Sequence, residues 1–253
     1  MLLKDKVFII TGASSGIGAA AAHRFAAEGA AVVLGARREA PLQAVVAAIT
    51  EAGGRAVALV GDVAEPGCAE ALVALAEDRF GGLDGAFNNA GVMNQGKWVA
   101  ETTTEDWDRV LQVNLTAAFL AARAQLPALV ARGGGSLCFT GSFIGHTATL
   151  PGMGPYAAAK AGLIGLVQSI AVEYGAQGVR ANALLPGGTL TAMAGEALTN
   201  PDSAAFIAGL HALKRLAQPE EIAAAALFLV SDLGSFVTGS ALLADGGNSI
   251  AKV

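Results

Sequence analysis

Val7-Phe-Ile-Ile-Thr-Gly-Ala-Ser-Ser-Gly-Ile-Gly18 is the stretch whose reading decides the fold. The apolar run 7–10 is short and unbroken, as expected of a strand buried on both faces of a parallel sheet. It breaks at glycines spaced G-x-x-x-G-x-G, after which a helical pattern runs to about Glu28. Strand, glycine turn and helix, in that order, are what a phosphate-binding loop requires. Glycines let the backbone approach a pyrophosphate, and free N–H groups at the helix start attract the anion. The spacing differs from G-x-G-x-x-G, and structural glycines at a tight strand–helix junction would give the same run, so the rest of the chain must decide.

The alternation repeats to the end. Strands are expected at 31–35, 56–60, 83–87, 136–140, 180–185 and 240–244. Helices are expected at about 40–52, 65–80, 104–131, from Tyr156 to Tyr174, and from Pro219. Thr104 is the expected N-cap of the long helix, and Pro219-Glu-Glu-Ile222 has the proline and early acids of a helix start. Strand–helix alternation over 1–253 predicts a single α/β domain, a doubly wound parallel sheet with helices on both faces. No linker or repeat interrupts it. The least periodic part, 192–215, carries Thr199-Asn-Pro-Asp202 and is expected to form a substrate lid over about 190–216.

Composition narrows the partners. Of 253 residues, 53% are hydrophobic and 15% charged, which supplies a large core. The mean hydropathy of +0.52 is high, yet no apolar run approaches the ~18 residues of a membrane span, so no membrane partner is expected. The net charge of −5 and absence of a basic block argue against nucleic acid. The first residues lead straight into a strand, with no room for a signal peptide, which suggests a cytoplasmic protein. Cys68 and Cys138 are expected to be free thiols. His23, His146 and His211 lack a metal-ligand spacing, and no metal site is expected.

Several residues gather at strand C-terminal ends, where open α/β sheets bind ligands. Arg37 and Arg38 stand where an acidic residue would bond a ribose 2′-hydroxyl. Arginine forks suit a phosphate, so NADP(H) is favoured over NAD(H), which stays possible. A solvated helix start would also explain them, and Glu39 could pair with either. Asp62 and Val63 end the third strand. Asn88-Asn-Ala-Gly91 opens from the fourth and suits backbone contact with a cofactor, or a capped turn. Asn114 is an amide on an otherwise apolar helix; it either bonds structure or reaches a site. Ser142 follows the fifth strand, and a flexible loop then delivers Tyr156-Ala-Ala-Ala-Lys160. These two side chains lie one turn apart on one helix face. A lysine charge near a phenol favours phenolate, so it is expected to lower the tyrosine pKa from about 10 and make a general acid/base. Y-x-x-x-K also occurs in helices with no chemistry; the convergence of the other residues is what distinguishes this one. Ala157, Ala161, Gly162, Gly165 and Ala171 are small enough to let the same helix pack at a subunit interface.

Together, T-G-x-x-x-G-I-G at 11–18, N-N-A-G at 88–91, Asn114, Ser142, Y-x-x-x-K and the P-G turn at Pro186 resemble the short-chain dehydrogenase/reductase family over nearly the whole chain. The resemblance implies a Rossmann-like fold with a seven-stranded sheet. It also implies hydride transfer between a nicotinamide and a ketone or secondary alcohol, a small-molecule partner, and a homotetramer or homodimer. It assigns Tyr156 as proton donor and acceptor, Lys160 to the tyrosine and the nicotinamide ribose, Ser142 to the carbonyl oxygen, and Asn114 to a water joining Lys160 to solvent. It places Gly12, Ser14, Ser15, Gly16, Ile17 and Gly18 at the pyrophosphate, and Asp62 and Val63 at the adenine. Asn89, Ala90 and Gly91 fall at the ribose, and Pro186, Gly187, Thr189 and Thr191 at the nicotinamide. The loop from Ser142 to Tyr156 is one residue longer than is common in the family, and Thr189 stands where an aliphatic residue is frequent. The substrate stays open between an apolar ketone, a sugar or polyol, and a 3-oxoacyl thioester. The rival from another class is a non-catalytic NADP-binding sensor or scaffold, against which the complete set of four catalytic residues speaks.

Overall fold

Seven parallel strands form one sheet in the order β3-β2-β1-β4-β5-β6-β7. They are β1 Val7–Thr11, β2 Ala31–Ala36, β3 Arg55–Val60, β4 Gly85–Asn88, β5 Gly135–Thr140, β6 Val179–Pro186 and β7 Ala241–Ala244. The computed structural model describes residues 1–94, 96–193, 195 and 200–251. The helices are α1 Gly16–Ala27, α2 Glu39–Glu51, α3 Cys68–Phe80, α4 Thr104–Leu111, α5 Ala117–Ala131, α6 Gly154–Tyr174, α7 Pro201–Gly209 and α8 Pro219–Val230. Chain order reverses between β1 and β4, so the loops after these strands diverge and leave a crevice at the C-terminal edge.

Side-chain alternation along the strands divides the core into two layers. Phe8, Ile10, Val32 and Leu34 face α1, α2 and α8. Val7, Ile9, Ala31 and Val33 face α3, α5 and α6. Both layers are sealed, which is why β1 reads as an unbroken apolar run. Phe8 meets Phe25 of α1 edge-on at 5.4 Å between ring centroids, a favoured aromatic geometry.

Three expectations need correction. The helix expected over 104–131 is not one α-helix, because Gln112–Thr116 forms a π-helical turn between α4 and α5. The cause lies in Asn114, whose buried Nδ2 donates to Val110 O at 2.9 Å, four residues back, and to Val92 O at 2.9 Å. A side chain inserted into the helix ladder opens it. The N-cap is Thr103 rather than Thr104; its hydroxyl accepts from Asp106 N at 3.2 Å. The loop before Tyr156 is tied down rather than free. Its backbone closes on itself through Gly145 N to Ala148 O, and Thr147 Oγ1 donates to Ser249 Oγ at 2.7 Å.

The stretches Thr104–Ala131 and Gly154–Gln177 are long and apolar enough, by length and composition alone, to cross a membrane. Their inner faces belong to the core beneath the sheet, through Ala122, Leu126, Leu129, Leu163, Val167 and Ile170. On their other sides Phe119 and Val172 are exposed. Of the small residues on α6, Ala161, Gly162 and Gly165 are exposed, Ala157 is half-buried and Ala171 is buried. Both cysteines are free, Cys138 fully enclosed in β5 and Cys68 half-buried. In the expected lid, α7 starts from an Asn200 cap, while Ala194, Glu196, Ala197, Leu198 and Thr199 lie outside the described residues.

One buried polar pair ties α5 to β4. Asn88 Nδ2 donates to Gln125 Oε1 at 2.9 Å, and Gln125 Nε2 returns a bond to Asn88 Oδ1 at 3.0 Å. Removing one amide strands the other without water. Gln125→Leu should therefore lower unfolding free energy by about 2 kcal/mol in urea titration, and adding Asn88→Leu should recover part of the loss. Strictly additive losses would contradict the pairing.

Candidate active site

The phosphate-loop glycines answer to steric need. Gly12 has φ of +66°, and a Cβ there would sit 3.0 Å from Asn89 Nδ2 and 3.1 Å from Ala90 Cα. At Gly18 a Cβ would come within 2.3 Å of Gly12 O. The start of α1 thus presses directly on the loop, leaving bare backbone facing the crevice. Gly18 itself does not border the cleft. Its visible part is this close approach of α1 to the loop.

Across the crevice, Thr11 and Thr140 hold the Asn89 turn. Thr11 Oγ1 accepts from Asn89 N at 3.0 Å and Ala90 N at 3.1 Å, Asn89 Nδ2 donates to Thr11 O, and Thr140 Oγ1 donates to Asn89 Oδ1 at 3.1 Å. Neither threonine was assigned a site role, although Thr11 opens the T-G-x-x-x-G-I-G run; the only sequence signal of Thr140 is a hydroxyl at a strand's C-terminal end. Asn88 points away into the core toward Gln125.

A single cleft gathers Gly12, Ser14, Ser15, Gly16 and Ile17 from the glycine loop with Arg37, Arg38, Asp62 and Val63 from the ends of β2 and β3. Asn89, Ala90, Gly91, Asn114, Tyr156, Lys160 and Thr191 line the same cleft, and Val92, Thr140, Ala192 and Met193 join them unexpectedly. Ser142, Pro186, Gly187 and Thr189 do not border it. Ser142 is buried, with its Oγ accepting from Ile144 N at 3.1 Å. Thr189 is buried too, and its hydroxyl donates to Gly187 O at 3.0 Å.

The two arginines differ in their partners. Arg37 Nη1 pairs with Asp62 at 3.4 Å. Arg38 Nη2 donates to Ser14 Oγ at 3.1 Å and Ser15 Oγ at 2.7 Å, which brings its charge onto the glycine loop. Among the described residues Arg38 has no acidic partner, and Glu39 pairs with neither arginine.

Tyr156 and Lys160 are both buried, at 8% and 3% exposure, with Lys160 Nζ 5.5 Å from the phenol ring centroid. Lys160 Nζ donates to Thr140 O at 2.6 Å. Burial pushes the ammonium pKa down to about 8, because water no longer solvates its charge. Burial also raises the Tyr156 pKa, opposed only by hydrogen bonding with the Ser142 side chain. This runs opposite to the expectation that Lys160 lowers the tyrosine: desolvation outweighs the Ser142 bond, and Tyr156 stands as a protonated phenol. Gly91 makes room for the group, since a Cβ there would lie 2.8 Å from Asn114 Oδ1 and 3.7 Å from Lys160 Nζ. Asn114 Oδ1 accepts from Val92 N at 3.2 Å, so its amide is committed to the backbone of the 90–92 turn and the helix.

A glycine-loop cleft at the switch point of a doubly wound sheet, with a buried phenol–ammonium pair on its wall, defines the class of nicotinamide-linked oxidoreductases. A family profile described as Enoyl-(Acyl carrier protein) reductase matches residues 12–249. The 2,5-dichloro-2,5-cyclohexadiene-1,4-diol dehydrogenase of Sphingobium indicum is 40% identical over 247 residues, 97% of each chain. Cyclohexanol dehydrogenase of Acinetobacter sp. strain SE19 is 40% identical over 242 residues, 96% of this chain and 94% of that one. A Beutenbergia cavernae structure, assigned as an NAD(P)-dependent gluconate 5-dehydrogenase and holding NADP at low occupancy, superposes with a TM-score of 0.92. It is 34% identical, covering 98% of both chains. The chain belongs to the short-chain dehydrogenase/reductase family. It is an oxidoreductase that transfers a hydride between a nicotinamide and a ketone or secondary alcohol.

The depressed Lys160 pKa has a measurable sign. Between pH about 8 and 10.5 the folded lysine is largely neutral while the unfolded one is charged, so the unfolded state binds more protons and stability rises with pH. Without cofactor, the wild type should gain about 2 kcal/mol relative to Lys160→Met between pH 7 and pH 9.5 in urea unfolding. A gap that does not change with pH would refute the buried ammonium.

Proposed function

We propose that the chain interconverts apolar alicyclic ketones and secondary alcohols, using NADP(H), with Tyr156 as general acid/base. The observation that carries this reading is the buried Tyr156–Lys160 pair on the wall of the glycine-loop cleft. The residues present fit a dinucleotide: the bare backbone at Gly12 and Gly16, hydroxyls at Ser14 and Ser15, and the Arg38 cation together suit phosphate groups. When bound, the nicotinamide supplies or accepts the hydride. Tyr156, held protonated by burial, gives its proton to the carbonyl oxygen in reduction and takes it back in oxidation. Ser142 donates to the same oxygen and steadies its developing charge. Lys160 bonds the ribose hydroxyls and, through its charge, favours the phenolate left behind. The Asn114 amide is already committed, which leaves its main chain to hold a water between Lys160 and solvent.

Gly12, Ser14, Ser15, Gly16 and Ile17 hold the pyrophosphate in this reading. Asp62 and Val63 border the adenine, Asn89, Ala90 and Gly91 the ribose, and the turn from Pro186 to Thr191 the nicotinamide. Arg38 carries the preference for NADP. Among the described residues its charge meets only neutral hydroxyls, whereas Asp62 already engages Arg37, and the NADP held by the Beutenbergia cavernae structure supports the choice.

Ring alcohols enter because two relatives named above act on them, and because Leu190, Met193 and Phe206 expose apolar surface in the lid region. A carrier-bound 3-oxoacyl thioester is disfavoured. Lys214 Nζ is bonded to Gly209 O at 2.8 Å, and Arg215 is clamped by Glu221 through two 2.7 Å bonds, so the basic residues of the lid region are already engaged. The exposed apolar residues of α5 and α6 favour a homodimer or homotetramer, and a cytoplasmic setting suits a nicotinamide-dependent enzyme.

Purified protein should oxidise cyclohexanol with NADP+ faster than it reduces acetoacetyl thioesters with NADPH. Tyr156→Phe should lower turnover by about 10³-fold with NADPH binding nearly intact; full turnover in that variant would end the proposal. Replacing Arg37 and Arg38 together with Ala should weaken NADPH by about tenfold or more and NADH little. An unchanged ratio of the two dissociation constants would remove the 2′-phosphate assignment.

A further inference from the structure

We propose that His211 is a positioning residue. Its imidazole, locked as one neutral tautomer, fixes the turn after β6 that presents Thr191 to the cleft; the functional consequence rests on the reading of that turn as the nicotinamide support. His211 follows α7, lies outside the cleft and is 2% exposed. Its Nε2 accepts from Gly188 N at 2.9 Å, and its Nδ1 faces Ile207 O at 2.8 Å. A backbone N–H can only donate and a carbonyl can only accept. The partners therefore dictate the protonation: Nε2 carries the lone pair and Nδ1 the proton.

Gly188 is shaped for this ring. A Cβ there would sit 2.9 Å from His211 Cε1, 3.2 Å from Nε2 and 2.6 Å from Leu216 Cδ2. Its backbone is not in the left-handed region, so glycine is needed there for space rather than for conformation. The opposite edge of the turn is held by backbone alone: Ala217 N donates to Gly188 O at 2.9 Å and Leu190 N to Ala217 O at 2.9 Å. His211 thus supplies a side-chain clamp where Ala217 supplies a main-chain one. Three residues beyond Gly188, Thr191 closes against the phosphate loop, where a Cβ on Gly16 would meet Thr191 Cγ2 at 3.0 Å. Losing the imidazole leaves the part-buried Gly188 N without its acceptor and frees the turn to shift relative to Gly16. The ring also joins α7 to that turn, so the placement of the lid helix and of the cofactor support is one event.

The test is a thermodynamic cycle read by NADPH binding in the full-length protein, using nucleotide fluorescence, with kcat and KM alongside. His211→Ala should raise the NADPH dissociation constant at least tenfold. His211→Gln, which keeps one acceptor and one donor, should recover most of that loss. Gly188→Ala, which displaces the ring from the other side, should reproduce the effect of His211→Ala, and the double variant should be no worse than either single one. Unchanged NADPH affinity in His211→Ala, or additive effects in the double variant, overturns the proposal. So does a lower urea midpoint with unaltered binding, which marks the histidine as merely structural. Should His211→Ala fail to fold, the Gln variant and Gly188→Ala decide the matter. A wild type that binds NADPH but turns over no ketone defeats the functional reading above while leaving this cycle interpretable.

Discussion

A buried ammonium must be bonded, and here its bond is to the sheet. Lys160 Nζ reaches Thr140 O at the end of β5, and that contact fixes how α6 lies over the C-terminal edge. Tyr156, one turn earlier, is thereby set on the cleft wall. Asn114 and Gly91 are shaped around the same point, the glycine because no side chain fits beside the asparagine oxygen. Hydrophobic packing of Leu163, Val167 and Ile170 holds the helix to the sheet, but packing tolerates small slides that a single charge-assisted bond does not.

The site is thus built by mutual exclusion of side chains as much as by their presence. Gly12, Gly18, Gly91 and Gly188 each stand where a methyl group would collide with backbone, an amide or an imidazole. In each case the missing carbon lets two chain segments approach closely. The polar residues that remain are those that answer a backbone group left over by such an approach: Thr11 for Asn89 and Ala90, Asn114 for Val92, His211 for Gly188.

Much of the fold was legible in the sequence because strands buried on both faces write themselves as short apolar runs between glycines. The parallel, doubly wound sheet and the placement of Tyr156, Lys160, Arg37 and Arg38 at its C-terminal edge followed from that alternation. Less legible were features settled by contacts between distant segments. The π-turn at Asn114 depends on a carbonyl at Val92, beyond any helical window. Thr140 looks like an ordinary strand residue, and the hold of Thr11 on Asn89 and Ala90 is invisible, until β1, β4 and β5 lie side by side. The tyrosine pKa was misjudged because a spacing reports proximity of charge but not the depth of burial, and here depth prevails. His211 carried no signal, since its partners lie 4 and 23 residues away and neither belongs to a motif.

The wide turn at Gln112–Thr116 has an evolutionary corollary. An α-helix advances about 100° per residue, so the turn works as a phase shifter between α4 and α5. It lets α4 aim Val110 toward Tyr156 while α5 aims Leu126 and Leu129 at the sheet. A lineage that deleted one residue there would straighten the helix and rotate its second half out of register. The segment therefore behaves as a length-locked gear: its residue count, as much as any one side chain, sets how α5 meets the sheet.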